Sequence, residues 1–161
     1  MDSTSGRAFY FEDYSAGEQQ RAGSYEVTAT EIIHFAQQWD PQPFHIDEAA
    51  AKASVFGGLT ACSAHIFSIF CITSQQWQSG VVQQAVAGLG FDEMRMLRPV
   101  YAGDTLQCVS TIESVRDSNS RPDCGIVVYA TQLLNQRNET VFSIKAASLI
   151  ARRPTTGDVG P

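Results

Sequence analysis

Two side chains able to exchange protons near neutral pH stand five residues apart across a pair of prolines, in Asp40-Pro41-Gln42-Pro43-Phe44-His45. An imidazole takes up or releases a proton in this range, and a neighbouring carboxylate can share that work. Each proline fixes its own φ and pushes the residue before it out of the helical region. Asp40 is therefore expected just past a helix end, in extended geometry, with no regular helix between it and His45. Taken singly, both residues have plainer roles. Asp favours turns by bonding its own backbone, and a hydrogen-bonded structural histidine is common. The pair, bracketed by prolines and followed by a glycine-led apolar stretch, is what points to general acid/base chemistry. Asp47, close by, reads instead as the cap of the next helix.

The elements that must position this pair follow from periodicity. Thr28 to Trp39 reads as a helix, capped by Thr28 or Thr30, with Glu31 placed as in a capping box. Ile32, Ile33, Phe35, Ala36 and Trp39 form its apolar side. Asp47 to Ala53 is a short helix that the Ser54–Gly58 segment ends. Leu59 to Trp77 is predicted as one long helix, apolar on most of its circumference and so buried on nearly all sides, with Gly80 ending it. Glu18 to Val27 reads as a strand weakened by Gly23. Four more strands are expected at Val81–Arg95, Thr105–Arg116, Gly125–Asn135 and Glu139–Arg152. A strand, helices, then a run of antiparallel strands is α+β. A helix buried this fully needs a sheet wrapped around it, which is the hot-dog arrangement.

The chain has 161 residues, of which 43% are hydrophobic and 17% charged, consistent with a single globular domain spanning 1–161. Residues 1–7 and 153–161 are expected to be flexible. Seventeen acidic against eleven basic residues give a net charge of −6, which disfavours nucleic-acid binding. The four cysteines, Cys62, Cys71, Cys108 and Cys124, lack metal-ligand spacing and read as buried thiols. Met1–Arg7 lacks the apolar core of a signal peptide, and the apolar run Ile66–Ile72 is too short for a bilayer. A cytoplasmic protein without membrane contact is the expectation. His65 reads as a core or interface histidine, and His34 as part of a solvated face.

Three stretches resemble the MaoC-like dehydratase or (R)-specific enoyl-CoA hydratase family of hot-dog proteins. Asp40-Pro41-Gln42-Pro43-Phe44-His45 resembles that family's D-x-N-P-x-H, with Gln42 in place of Asn. Phe56-Gly57-Gly58-Leu59 precedes a small-residue helix, with Ala61-Cys62-Ser63 where the family often has Ala-Ser-Gly. Arg98-Pro99-Val100-Tyr101-Ala102-Gly103-Asp104-Thr105-Leu106 resembles its R-P-V-x-x-G-D-T-L turn.

The resemblance implies a lyase of acyl-thioester metabolism. Its reaction is reversible hydration of a trans-2-enoyl thioester, on coenzyme A or an acyl carrier, to the (R)-3-hydroxyacyl form. Asp40 and His45 would hold the catalytic water. Gly58, expected directly ahead of the long helix, would offer its N–H to the thioester oxygen. Ser63 would support the site. The reaction requires no metal or cofactor, and the family builds its site between the two subunits of a homodimer. Arg98 suits a phosphate of a pantetheine carrier or, equally, a surface strand end. Two alternatives share the fold. A thioesterase usually carries a carboxylate on or near the central helix, and none occurs from Leu59 to Gly80. A non-catalytic acyl-binding subunit would not need both Asp40 and His45.

Overall fold

A computed structural model describes residues 6–76 and 80–155. Seven strands are present among the described residues: β1 (Arg7–Phe9), β2 (Gln19–Glu26), β3 (Val81–Gln83), β4 (Ala85–Met96), β5 (Thr105–Asp117), β6 (Cys124–Leu134) and β7 (Thr140–Ala151). Four α-helices complete the fold: α1 (Ala29–Trp39), α2 (Pro43–Ile46), α3 (Glu48–Ala53) and α4 (Ser63–Ser74). Five strands form one antiparallel sheet in the order β2-β5-β6-β7-β4, while β1 and β3 pair in parallel beside it. The sheet folds over α4, which is the expected α+β hot-dog arrangement. Ile66, Ile69 and Phe70 of α4 share one core with Leu106, Cys108, Leu133, Phe142 and Ile144 of the sheet. All four cysteines are free thiols, and only Cys71 is not fully buried.

Local chemistry explains the helix boundaries. The Thr28 hydroxyl accepts the amide of Glu31, and Asp47 accepts that of Ala50, so both caps are in place. Pro43 sits at the first position of α2, where its missing N–H costs nothing. His45 is consequently on a short helix rather than a loop. Asp40 ends α1 with φ −158° and ψ 74°, outside the helical region, as the following proline requires. Trp39, assigned to the apolar side of α1, is 69% exposed, and the buried positions of that helix are Ile32 and Ala36.

The long helix differs most from expectation. It begins at Ser63, not Leu59, and Cys62 is its cap residue. Leu59 to Ala61 are extended because a partner far along the chain claims their backbone. Thr60 bridges Tyr101, the Ala61 amide donates to the Val100 carbonyl, and the Ala102 amide donates to that of Leu59. The apolar run alone does not separate this extended stretch from the helix after it. Nor is α4 covered all round, since Ser63, Ala64, Ser68 and Ile72 are exposed in the single chain. It also ends early, at Ser74 with Gln75 as cap residue, before the expected Trp77, which itself lies outside the described residues.

The strand expected over Val81–Arg95 is two strands: β3 pairs with β1, and at Gln84, whose amide donates to the Phe9 carbonyl of β1 and whose carbonyl accepts the Ala151 amide of β7, the pairing passes to the main sheet. Arg7, expected in a flexible terminus, belongs to β1, and its amide donates to the Gly80 carbonyl. Arg153, expected in the other, holds both carboxylate oxygens of Asp13 at 2.8 Å. Residues 1–5 and 156–161 lie outside the described part.

Candidate active site

The paired residues expected from the sequence come together. His45 Nε2 lies 3.9 Å from Asp40 Oδ2. The imidazole is buried at 8% exposure, whereas the Asp40 side chain is 39% exposed. Phe44 packs edge-on against the imidazole, with ring centroids 4.5 Å apart, and itself leans on Phe56. Pro43 starts the helical turn that carries both rings.

The other face of the imidazole fixes its proton. Nδ1 lies 2.6 Å from the carbonyl oxygen of Thr60. A carbonyl can only accept, so in neutral His45 Nδ1 carries the hydrogen and donates it. In that tautomer Nε2 presents its lone pair on the side of Asp40, the arrangement in which an imidazole can act as a general base. Thr60 was not singled out in the sequence. Its contribution is a backbone carbonyl, which no residue type announces, and a helical reading of Leu59–Trp77 would have committed that carbonyl to an amide four residues on.

The carbonyl is held in turn by the third motif. Asp104, 4% exposed, accepts the Tyr101 amide on one oxygen and the Gln136 side-chain amide on the other, at 2.8 Å each. Gly103 has φ 92°, a conformation that side chains rarely adopt, so the turn needs glycine there. The Tyr101 hydroxyl donates to the Phe56 carbonyl at 2.9 Å. The Arg98–Asp104 turn thereby grips the chain on both sides of the Gly57-Gly58 pair.

Beside His45 is a cavity of about 300 Å³. Phe44, Phe56, Ala61, Ile66, Met96 and Leu97 give it apolar walls, and His45, Thr60, Ser63 and Arg98 supply its polar groups. Asp40 flanks it without lining it. Ser63 lines this cavity, and as the first residue of α4 it also brings the helix N-terminus there. Gly58 is not directly ahead of the long helix, the place expected of it. It stands five residues ahead of that N-terminus, outside the cavity lining, with the Tyr101 ring 3.6 Å from where a Cβ would be. The first amides of a helix lack partners within it. The one that opens α4 beside the cavity belongs to Ser63. Cys62, immediately before it, has its thiol pushed up chiefly by burial, with the charge of Asp40 adding to this and backbone amides of α4 opposing it.

The remaining histidines lie elsewhere. His34 is exposed, as expected. His65 is buried and stacks on Phe35 with centroids 4.6 Å apart, and its Nδ1 has no hydrogen-bond partner among the described residues. Both line a second hollow between α1 and α4, of about 360 Å³, together with Tyr25 and Glu31. Tyr25 donates to Glu31 at 2.5 Å, and this bond pushes the phenol up to about 12 and holds the carboxyl below its usual range.

The chain is similar to several known proteins. Residues 15–144 match the family described as FAS1-like, dehydratase domain region. The crystal structure of a MaoC-like dehydratase from Rhodospirillum rubrum superposes with a TM-score of 0.83 at 35% identity, covering 91% of this chain and 99% of that one. A mesaconyl-CoA hydratase from Cereibacter sphaeroides is 30% identical over 156 residues, which are 96% of this chain and 44% of that protein. The chain thus spans less than half the length of that relative. R-hydratase PhaJ1 from Pseudomonas aeruginosa shares the fold, with a TM-score of 0.70 at 18% identity and 94% of each chain covered.

Proposed function

The chain belongs to the MaoC-like dehydratases, and from that premise we propose that it catalyses reversible hydration of a trans-2-enoyl thioester to the (R)-3-hydroxyacyl thioester. The observation that carries this reading is the donor-fixed His45, whose free Nε2 faces Asp40 at 3.9 Å beside an apolar-walled cavity. That separation is too long for a direct hydrogen bond. It suits a shared water: two bonds of about 2.8 Å close over it with an angle of roughly 90° at the oxygen.

In the forward direction Nε2 takes a proton from this water while the oxygen bonds to Cβ. The pair returns a proton to Cα, so one water adds across the double bond and both groups end as they began. Charge that develops on the thioester oxygen is met by the Ser63 N–H at the start of α4, where the helix dipole also favours an anion. This amide takes the role that the sequence assigned to Gly58. The substrate would be an acyl group on coenzyme A or on an acyl carrier. Relatives named for hydration of a CoA thioester support the first.

A homodimer fits the same reading. β4 is an edge strand, paired on one side only to β7, and exposes Val86, Leu89, Phe91, Met94 and Met96. A long apolar edge of this kind is a template for a second strand, and a two-fold pairing of β4 with its copy would cover it.

Purified protein mixed with crotonyl-CoA should bleach the enoyl-thioester absorbance and yield the (R)-3-hydroxy product. Retention of the absorbance, or full activity in His45→Ala, would refute the proposal.

A further inference from the structure

The cavity beside His45 has two unlike ends. Thr60, Ala61 and Ile66 are buried at 2%, 6% and 4% exposure, whereas Leu97 is 52% exposed and Arg98 is exposed beside it. Arg98 carries the one fixed charge among the residues lining this cavity, and no carboxylate lines it. Its guanidinium makes no ion pair among the described residues. Glu139, whose charge it does influence, is already bonded to Asn135 and Arg137. The backbone beneath Arg98 is fixed, because its amide donates to the Val141 carbonyl and Pro99 sets the next φ. An anchored, exposed arginine that forms no ion pair among the described residues and lines an apolar-walled cavity can receive an anion, and its planar fork matches phosphate oxygens.

Resting on the thioester reading, we propose that Arg98 recognises a phosphate of the pantetheine carrier. The reacting enoyl group has to reach buried His45, so the carrier leaves the cavity by the exposed end. A carboxylate on the acyl group would have to enter the buried end, where no cation lines the wall. Arg98 acts on binding rather than on the reacting atoms, so its loss appears in KM and not in kcat.

The test compares the intact protein with Arg98→Gln and Arg98→Lys on crotonyl-CoA and on crotonyl-pantetheine, which has no phosphate. Arg98→Gln should raise KM for crotonyl-CoA about threefold to tenfold, as for a solvent-facing charge-assisted contact, with kcat unchanged. KM for crotonyl-pantetheine should not move. Arg98→Lys should recover part of the affinity, because charge remains and the fork is lost. Added salt should raise the wild-type KM for crotonyl-CoA and leave that of Arg98→Gln nearly flat. Equal shifts on both thioesters, or no shift, would overturn the proposal. So would an effect confined to an enoyl-CoA bearing a second carboxylate, which would assign Arg98 to the acyl group instead. Calorimetric titration with coenzyme A and with pantetheine needs no turnover. If neither thioester is hydrated yet Arg98→Gln weakens only the coenzyme A titration, the hydration reading fails and the assignment of Arg98 stands.

Discussion

At the scale of single residues, the site rests on two atoms of one imidazole doing different things. Nδ1 bonds the Thr60 carbonyl, and Nε2 faces Asp40, where the proposed hydration would use it. Replacing His45 by Ala removes both, and kcat/KM for crotonyl-CoA should fall by about 10²- to 10⁴-fold, the usual range for a general base. Asp40→Asn keeps the shape of the side chain and one acceptor oxygen but loses the charge. It should lower kcat by a similar factor while KM changes little, read from initial rates at saturating substrate. The pair was legible in the sequence because its information is local: two reactive side chains at short spacing, locked by two prolines. Thr60 was not legible because its part is played by backbone, and backbone roles depend on where the rest of the chain runs. Ser63 was placed at the site for its hydroxyl, whereas the geometry draws attention to its amide.

At the scale of elements, the apolar pattern identified the helix that the sheet wraps and misplaced its start by four residues. Periodicity reports which side chains are buried. It does not report which partner the backbone prefers, and Leu59–Ala61 are buried equally well as a bridge to Val100–Ala102. The pairing of β1 with β3 escaped notice for the same reason, since Arg7 and Val81 are far apart in sequence. Tyr101→Phe should test the grip of the turn. Losing the hydroxyl bond to the Phe56 carbonyl should cost about 1 kcal/mol in urea denaturation, with a smaller fall in kcat if His45 loosens with it.

α4 also carries a pH response. Burial holds the His65 imidazole below its usual range, and Glu31 opposes this only in part. Above the unfolded value near 6.5 both states are neutral and nothing is lost. As pH falls below it, the unfolded chain binds a proton that the folded chain does not, so stability declines towards the lowered folded value. His65→Gln should flatten this decline, seen by comparing urea midpoints at about pH 5.5 and 7.5.

At the scale of the molecule, the five-stranded sheet ends on an edge whose apolar side chains remain exposed in a single chain. The dimer proposed from it predicts a mass of two chains in light scattering. Leu89, half exposed on β4, is the position to break it: Leu89→Lys would set two like charges near one another across a two-fold axis and should shift the protein towards monomer. No helix among the described residues is long and apolar enough to cross a membrane.

The bridge between Thr60 and Tyr101 also has a consequence in time. It joins parts of the chain some forty residues apart, so the carbonyl that orients His45 reaches its place only after that large loop has closed, at an entropic cost that grows with the logarithm of its length. The hydrogen bonds of the helices around Asp40 span only a few residues and need no such closure. Asp40 and His45 should therefore come into register only as the sheet itself forms, in the last cooperative step of folding rather than ahead of it. In native-state hydrogen exchange, the Ala61 and Ala102 amides that clamp this bridge should open only with global unfolding, leaving no partly folded species with a competent site.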